Sequence, residues 1–600
     1  MYNTAKIIQK ILSKAPLFVV FFLGKTIGIF LYLNRKKREI AYKNIKSVFP
    51  AKTNREINKI VRQSFQSLGL GILESLIADR IFPSVELKGT ENIAKDGGIL
   101  VAIHEGSWEL YNFFIAKDLK YKMFAKEQKK KKLDLFLTEL RNKYSLKLCF
   151  SLKDALYSLK DNYLLGMVVD HGAEDNALFV DFFTHSVPTP KGAVYLARKL
   201  NKKIYPCFGY RKSGFSHTIE IGKPINPSSK TDYELLSELN KIYETYLTKY
   251  PWEYLWYYKR FKRKKDMDVL ILSDGKAGHL KQSQAFLSFF KEEDFEIRSQ
   301  TIEIKTRSGV QRFVAEVIAI LSGKYFLGHS LLKFFLDQDT SKKLQEVYAD
   351  MVVSTGSIAA PINRVVSSMI GAKSIVILRP NTPLKKFDLC IIPAHDRINA
   401  KNAVIIKGAL AYPLNPEEKA QKCKDFFKLG NNKKISVFVG GYLSSEKTYL
   451  NNLKLFIEKL KIFASKNNYK ILFSTSRRTQ KSIEEYIESE LKAFPNAEAI
   501  VIPSRTNFDF AFEGFIELSE IVFVSGESIS MISETLALKK PCVCLVLEKY
   551  MDKHNVFLDS LEKDVILLDN PYNISEIKPI AAEVLEENRK IVREAIRGLL

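Results

Sequence analysis

The chain begins with segments whose apolar positions have the length and phase of helices. Residues 15–33 form a nearly unbroken apolar stretch, preceded by Lys14 and interrupted only by Pro16 and Lys25. Between residues 35 and 82, apolar residues recur three and four positions apart, which is the period of a helix that packs on one side. The pattern therefore predicts a helical N-terminal region.

From residue 85 onward, short apolar runs alternate with helical segments. Such alternation is typical of an α/β layer fold, in which buried strands are followed by covering helices. A second series begins at residue 268, and its strands fall into two groups that divide between about residues 408 and 432. Two such sheets predict a two-lobed pair of Rossmann-like domains with a ligand cleft at the carboxyl ends of the strands. The predicted strands are 98–102, 164–169 and 203–208 in the front half, and 268–272, 351–354, 374–378, 389–393, 435–439, 470–473, 499–502, 521–524 and 542–547 in the rear.

Six hundred residues exceed what one hydrophobic core can organise, so several folding units are expected. We divide the chain into an anchoring helix at 1–34, an α/β domain at 35–265, a first lobe at 267–415 and a second lobe at 416–600. The boundary near residue 266 follows an aromatic and cationic run, residues 250–265.

Charge changes the interpretation of the N-terminal stretch. The formal net charge is +26, and the greater part of it lies before residue 267. Four cations, Arg35 to Arg38, directly follow the apolar stretch, and an apolar helix beside a basic cluster favours an anionic membrane surface. The pattern leaves open whether this helix spans the bilayer or lies on it. A cleaved signal peptide is disfavoured because no small-residue cleavage site follows, and a buried core helix is disfavoured by Lys25.

The remaining composition excludes several classes of site. The six cysteines lack metal-ligand spacing, and Cys542 and Cys544 lie within an apolar run as strand residues. No nucleic-acid motif is present. We therefore expect no metal, no cofactor and no nucleic-acid partner.

The first candidate centre follows the strand at 98–102. The sequence there is His104-Glu105-Gly106-Ser107-Trp108-Glu109. A carboxylate on the first turn of a helix can hold one ring nitrogen of a histidine at a strand end. The other nitrogen can then take a proton from an attacking hydroxyl. Spacing alone is a weak signal, because a histidine at a strand end is more often structural.

This block resembles the His-x-x-x-x-Asp/Glu motif of the lysophospholipid acyltransferase superfamily, and most closely the lipid A late acyltransferases. The similarity covers about residues 5–265. It departs from the family at Ser107, where Asn is usual, and at His171, where Gln is usual, which affects the acceptor preference. The other matching blocks are Ala41-x-x-Asn44, Phe49-Pro50, Arg141, Val169-Asp170, Phe182-Phe183, Thr189-Pro190-Lys191-Gly192, Leu196-Ala197, Pro206 and the ending Tyr250-Pro251…Trp256…Arg260.

The resemblance implies an inner-membrane enzyme facing the cytoplasm. It would move an acyl chain from an acyl carrier protein or coenzyme A thioester to a hydroxyl of a lipid A-type acceptor or another glycolipid or phospholipid. His104 is then the base and Glu109 its orienting partner. Arg141 stabilises the oxyanion or a donor phosphate, or is a helix-surface cation, and Asp170 binds the acceptor or braces the site. Lys191 and Gly192 are expected to contact substrate.

The second candidate centre consists of strand-to-helix turns in the rear half. Backbone N–H groups at such turns bind anions, and arginines add charge-assisted hydrogen bonds to phosphate. Ordinary capped turns explain any one of them, whereas their coincidence favours a nucleotide-diphosphate or nucleotide-sugar site. The spacing fits neither a dinucleotide fingerprint nor a P-loop. The candidate residues are Gly275, Lys276, Gly440, Ser476, Arg477, Arg478, Gly526, Glu527 and Glu534.

These motifs, together with Phe387-Asp388-Leu389 and Pro393-x-His395-Asp396, resemble the mitochondrial-fission ELM family over about residues 267–600. That family resembles the two-lobed GT-B glycosyltransferases, and the resemblance implies that Glu527 and Glu534 hold ribose or a donor sugar. Either both halves are enzymes of one envelope-lipid pathway, or the rear half is a non-catalytic module that binds a nucleotide or a partner. A membrane-shaping scaffold without catalysis is disfavoured by the His104 block.

Overall fold

The computed structural model describes residues 2–125, 131–170, 177–291, 293, 295–304, 336–561, 563–578, 580 and 583–599. His171, a predicted departure from the family pattern, lies outside the described residues. The chain separates into two compact units. The front unit is Met1–Met267 with Gln345–Tyr348, and the rear unit is Asp268–Leu344 with Ala349–Leu600.

The front unit is a sheet of mainly parallel strands with helices around it. Its helices are α1 Tyr2–Lys14, α2 Leu17–Tyr32, α3 Arg35–Val48, α4 Asn54–Leu76, α5 Ala78–Ile81, α6 Trp108–Asp118, α7 Lys131–Lys143, α8 Leu152–Lys160, α9 Gly192–Leu200 and α10 Asp232–Lys249. Its strands are β1 Val85–Lys88, β2 Gly98–Ala102, β3 Tyr121–Phe124, β4 Lys147–Cys149, β5 Leu164–Val168, β6 Leu178–Phe182, β7 His185–Thr189, β8 Ile204–Ser213 and β9 Ser216–Ile221.

The sheet of the front unit has the order β1-β9-β8-β2-β5-β3-β4, and β6 and β7 form a separate antiparallel hairpin. Strands β2 and β5 are adjacent and parallel, and Ala102 lies opposite Val168. The carboxyl ends of these two central strands therefore meet at one edge of the sheet. Apolar residues of β2 and β5 such as Ile99, Val101 and Leu165 are completely buried.

Residues 1–34, expected to form one anchoring helix, contain two helices, α1 and α2, and the apolar stretch of residues 15–33 is occupied by α2. The chain breaks at Pro16, whose backbone is extended, between α1 and α2. Helix α2 packs along α4, and the backbones touch where both carry glycine: a Cβ on Gly28 or Gly69 would come within 2.5 Å and 2.3 Å of backbone atoms of the facing helix. Among the described helices, none is by itself long and apolar enough to cross a membrane. Helices α2 and α3 reach that length and apolar composition only together, as a pair bent by 91°.

The rear unit contains two further sheets. Its helices are α11 Ala277–Lys291, α12 Gln338–Glu346 (whose last two residues group with the front unit), α13 Ala360–Ile370, α14 Pro416–Phe427, α15 Glu446–Lys466, α16 Lys481–Leu491, α17 Ala511–Leu518, α18 Ile529–Ala537, α19 Asp552–Asp559 and α20 Val584–Leu599. Its strands are β10 Asp266–Ser273 (which begins in the front unit), β11 Glu296–Glu303, β12 Met351–Thr355, β13 Lys373–Ile377, β14 Leu389–Pro393, β15 Ala403–Ile406, β16 Lys434–Val439, β17 Lys470–Thr475, β18 Ala497–Val501, β19 Ile521–Ser525, β20 Cys542–Leu545 and β21 Val565–Leu568.

Each rear sheet has six strands. The first has the order β11-β10-β12-β13-β14-β15 and the second β18-β17-β16-β19-β20-β21. The second sheet is parallel throughout, as is the first from β10 to β15. The last helix, α20, crosses back to the first sheet: Asn588 of α20 bonds both backbone groups of Lys407, which follows β15.

The predicted α/β class with paired Rossmann-like sheets is confirmed. Each apolar run that predicts a strand is occupied by one; the predicted bounds 98–102 and 389–393 are exact, and the other strands differ by one to a few residues at their ends. Additional strands are present at the edges, such as β11, whose residues are mostly exposed and form no apolar run.

Candidate active sites

His104 lies just beyond β2, at the edge of the sheet where β5 also ends. The backbone continues into a bridge between Glu105 and Tyr254, and the Leu255 N–H donates to the His104 carbonyl. The imidazole stacks on the Tyr258 ring at 5.2 Å and meets the Trp108 ring edge-on at 5.9 Å. These two ring contacts restrict rotation of the imidazole.

The carboxylate that orients His104 is Asp170, not Glu109. The Asp170 Oδ1 atom lies 2.8 Å from His104 Nδ1, and its Oδ2 accepts the His104 backbone N–H at 2.9 Å. The register explains this: Ala102 faces Val168, so the residues two positions further along both strands also face each other. The prediction that Glu109 orients the imidazole is therefore wrong, whereas a bracing role was one of the two expected for Asp170.

The electrostatics of this pair suit a base. Asp170 is fully buried, and although burial would raise its pKa, the charge and hydrogen bonds of His104 and the charge of Arg260 hold the pKa well below its usual range. Burial would lower the pKa of His104, but the Asp170 charge and hydrogen bond outweigh it and raise the pKa. Asp170 thus remains ionised and stabilises the imidazolium.

Glu109 instead pairs with Arg141. The Arg141 Nη2 atom lies 2.5 Å from Glu109 Oε1, and Nε donates to Oε2 at 3.4 Å. Arg141 is only 6% exposed, so the alternative of a helix-surface cation is excluded. A two-point contact of this kind fixes the plane of the guanidinium.

A buried polar network supports the turn that follows His104. The Ser107 hydroxyl donates to Glu74 of α4, and the same carboxylate accepts from Arg211 Nη2 at 3.0 Å. Glu74 Oε1 is 3.2 Å from His217 Nε2. Burial would raise the pKa of Glu74, but Arg211 and His217 lower it to about 2. Sequence reasoning missed this network; its signal is a charged residue on the apolar face of α4, four positions after the buried Leu70.

The other predicted substrate residues of the front unit stand at the start of α9. Lys191 is the residue before the helix, and Gly192 is its first residue. A Cβ on Gly192 would be 3.5 Å from Met167 of β5, which is ordinary contact, so this glycine is not required by close packing. The substrate role of Lys191 and Gly192 stays a prediction.

Three turns of the second rear sheet come together at its carboxyl edge. The Gly440 N–H donates to Ser525 Oγ at 2.8 Å, and the Gly440 carbonyl accepts from Thr479 Oγ1 at 2.6 Å. Thr479 Oγ1 in turn accepts from the Ser476 N–H at 2.9 Å. The turns after β16, β17 and β19 therefore form one continuous surface, as parallel adjacent strands require.

Glu527 lies at the centre of this surface. Its Oε1 accepts from Ser525 at 2.6 Å and from Tyr449 at 3.4 Å, while Oε2 is buried without a hydrogen-bond partner among the described residues. Burial raises the pKa of Glu527 to about 7, and the Glu548 charge adds to the effect. A Cβ on Gly440 would be 2.0 Å from Glu527 Oε1, so only glycine permits this approach. Gly526, the preceding residue, lies against the Tyr550 ring.

The remaining predicted rear residues are placed differently. Glu534 Oε2 accepts from Lys281 Nζ of the first sheet's helix α11 at 2.9 Å, so this ion pair joins the two lobes, and the sugar-binding role of Glu534 stays a prediction. Arg477 and Arg478 are exposed beside the joined turns. Gly275 and Lys276 follow β10 in the first lobe, where Lys276 lies 3.7 Å from Asp274.

Comparison with known proteins agrees with both halves of this description. Residues 4–263 match the family model for bacterial lipid A biosynthesis acyltransferase. The lipid A biosynthesis acyltransferase of Haemophilus influenzae is 26% identical over 261 residues, which cover 41% of this chain and 83% of that protein. The lipid A biosynthesis lauroyltransferase of Escherichia coli K12 is 25% identical over 273 residues, or 41% of this chain and 86% of that one. The front unit is an acyltransferase of the α/β class.

The rear half gives the family. Residues 277–599, more than half of the chain, match the family model described as mitochondrial fission ELM1. The chain belongs to the mitochondrial fission ELM1 family and carries the acyltransferase unit in front of the family's region. Among solved structures, the UDP-GlcNAc 2-epimerase from Methanocaldococcus jannaschii aligns with 56% of this chain and 99% of its own, with 16% identity and a TM-score of 0.37. Both predicted resemblances are confirmed.

Proposed function

We propose that the front unit transfers a fatty acyl chain from the thioester of an acyl carrier protein or coenzyme A to a hydroxyl of a lipid A-type saccharolipid. The observation that supports it best is the buried His104–Asp170 pair, with Nδ1 and Oδ1 2.8 Å apart. A histidine held in this way carries its proton on Nδ1, so that Nε2 presents a lone pair to the acceptor hydroxyl. The proposed acceptor class follows from the similarity of the front unit to lipid A biosynthesis acyltransferases.

The reaction needs no covalent acyl-enzyme. The acceptor oxygen attacks the thioester carbonyl as its proton passes to His104 Nε2, and the tetrahedral intermediate collapses with cleavage of the C–S bond. The proton then moves from Nε2 to the departing thiolate. Arg141, whose guanidinium plane is set by Glu109, is proposed to face the developing oxyanion or a donor phosphate.

We propose further that the protein lies on the cytoplasmic face of the inner membrane through α1 and α2. Large apolar side chains of these helices are exposed, among them Ile11, Phe18, Phe22 and Phe30 at 62 to 68%. The opposite side of α2 is packed against α4. A helix with one face on the domain and a phenylalanine-rich face outward is suited to lie in the interface.

The acyltransferase assignment is tested with purified protein, a lipid A precursor and an acyl carrier protein thioester. His104→Gln is expected to abolish transfer of the labelled acyl chain, because His104 Nε2 is the group proposed to take the hydroxyl proton. His279→Gln, in the rear unit, is the matched control and should retain full transfer. Near-normal turnover by His104→Gln would contradict the proposal.

The membrane assignment is tested by flotation with phosphatidylglycerol vesicles. Each exposed phenylalanine contributes on the order of 1 kcal/mol when it enters hydrocarbon, so Phe18→Ser/Phe22→Ser/Phe30→Ser should lower partitioning by about 100-fold. Ile462→Ser, which removes an apolar side chain 57% exposed in the rear unit, is the control. Unchanged flotation of the triple variant at high salt would locate the anchor elsewhere.

For the rear unit, a nucleotide diphosphate or its sugar conjugate is the favoured ligand. The specific observation is that Gly440, Ser476 and Glu527 stand on one surface with exposed Arg477 and Arg478 beside it. The guanidinium groups can pair with phosphate by charge-assisted hydrogen bonds, while the N–H groups of Gly440 and Ser476 already donate to Ser525 and Thr479. A thermal-shift screen of the full chain against uridine, cytidine, guanosine and adenosine diphosphates tests this, with Arg477→Ala/Arg478→Ala as the variant expected to lose the shift. Absence of any shift would favour a module that binds a protein partner instead.

A further inference from the structure

The segment after Leu255 carries the ring that stacks on the proposed base. The centroid of the Tyr258 ring lies 5.2 Å from that of the His104 imidazole. Two carbonyls of this segment, those of Trp256 and Tyr258, accept from the Asn44 side chain of α3 at 2.8 and 3.1 Å. Asn44 is buried, so one face of α3 is fixed along the segment beside His104.

Lys37 lies on the same face of α3, about two turns before Asn44, because residues seven apart on a helix share a face. Its ammonium is 4.7 Å from the centroid of the Tyr257 ring. That ring in turn stacks on Phe65 of α4 at 5.4 Å, which holds it in place. A cation is therefore held against the residue next to Tyr258.

The Lys37 ammonium keeps its hydrogen-bonding capacity. It has three donors, and in the described part of the chain neither a carboxylate nor another acceptor pairs with it. The acidic residue of the same helix, Glu39, accepts instead from Arg35 at 2.7 Å. Because a cation–π contact attracts the ammonium through the ring and not through a hydrogen bond, the group is positioned and can still bind an anion.

The anion that suits this position is a phosphate group of the acceptor. The acceptor hydroxyl has to lie at His104 Nε2 for proton transfer, so the rest of the acceptor lies among the residues around the imidazole. A lysine ammonium binds phosphate as a point charge. Arg141, proposed above for the oxyanion or the donor phosphate, is on α7 and not on α3, so Lys37 is a separate cation that can serve the second substrate.

We propose that Lys37 binds a phosphate group of the acceptor while the acceptor hydroxyl lies at His104 Nε2. The acceptor class is a phosphorylated saccharolipid. This inference rests on the acyl transfer proposed above and assigns the recognition of the acceptor to the first turn of α3. The bound phosphate then determines which hydroxyl of the acceptor reaches the base.

The test is the steady-state kinetics of acyl transfer by the full-length protein in micelles of an uncharged detergent. The donor is an acyl carrier protein thioester, and the acceptors are a phosphorylated lipid A precursor and the same precursor without its phosphate groups. In the wild type, the KM for the phosphorylated acceptor should be lower by about tenfold, or about 1.4 kcal/mol. Lys37→Gln should raise this KM to that of the dephosphorylated acceptor and leave the KM for the donor unchanged. Lys37→Arg, which keeps the charge, should restore the difference.

Lys36→Gln is the matched control. It removes the same charge from the same helical turn, but consecutive residues of a helix point in different directions. Attraction to an anionic lipid surface would be weakened equally by Lys36→Gln and Lys37→Gln, and it would appear only when phosphatidylglycerol is added to the micelles. Binding of the acceptor phosphate is lost in Lys37→Gln alone, in uncharged micelles.

The outcomes separate the inference from the function on which it rests. If the wild type has the same KM for both acceptors, if the two glutamine variants change that KM equally, or if Lys37→Gln raises the KM for the donor instead, the role of Lys37 is overturned while acyl transfer stands. If the wild type acylates neither acceptor, the acyl transfer itself is refuted, and the inference with it.

Discussion

Replacement of Asp170 by asparagine tests the front site most directly. Asp170 accepts two hydrogen bonds from one residue, the His104 backbone N–H and Nδ1–H. An asparagine has one acceptor and one donor, and the backbone N–H can pair only with the acceptor. The amide N–H then faces Nδ1, so the imidazole proton moves to Nε2 and the base is lost.

The expected effect is large on turnover and small on substrate binding. A histidine held in the wrong tautomer loses about 10³- to 10⁴-fold in kcat, or about 4–5.5 kcal/mol of barrier. The variant also leaves Arg260 buried without the Asp170 charge; Arg260 retains Asn240, which accepts from it at 2.8 Å. Loss of a buried charge partner lowers the free energy of unfolding by about 3 kcal/mol.

The assay is kcat and KM for acyl transfer between pH 6 and 9, with thermal unfolding measured in parallel. In the wild type, the rate should rise with pH through a value above the ordinary histidine pKa, because Asp170 raises the pKa of His104 and the base must be neutral. In Asp170→Asn the residual rate should rise at lower pH. Asp181→Asn, at an exposed position of β6, is the matched control. A kcat for Asp170→Asn within about tenfold of wild type would refute this account of the base.

Three further predictions concern other contacts. Glu109→Gln and Arg141→Ala should each lower the rate of acyl transfer. The double variant should be no slower than Arg141→Ala, because the Glu109 carboxylate acts only through the Arg141 guanidinium; additive losses in a double-mutant cycle would contradict this. Gly440→Ala should destabilise the rear unit by about 1–3 kcal/mol in calorimetry, since its Cβ overlaps Glu527, whereas Gly278→Ala, with open space around it, should not. The pKa of Glu527 is higher in the folded than in the unfolded protein, so the folded state binds more protons, and the free energy of unfolding should fall by about 3 kcal/mol as the pH rises from about 4.5 to about 7. Glu527→Gln should remove this pH dependence, and an equal pH dependence in both proteins would argue against a buried carboxyl.

The central strands and the position of His104 could be predicted from sequence because buried parallel strands are continuous apolar runs. The edge strand β11 could not, since most of its side chains are exposed. The carboxylate that pairs with His104 could not be predicted either, because it depends on the pairing of two strands that are distant in sequence. Sequence spacing suggests Glu109, five residues away, whereas the pairing of β2 with β5 brings in Asp170, which is 66 residues away.

The glycine contact between α2 and α4 has a mechanical consequence. Helix α4 carries both Gly69, against α2, and Glu74, which receives the Ser107 hydroxyl of the turn after His104. The backbones of α2 and α4 are in contact, and the fully buried Glu74 carboxylate bonds the turn after His104. The position of this turn relative to α2 is therefore fixed by close packing and a buried hydrogen bond. If the outward face of α2 lies on a membrane surface, the distance from that surface to the His104 imidazole is fixed. An acceptor would then be selected by how far its hydroxyl projects from the surface.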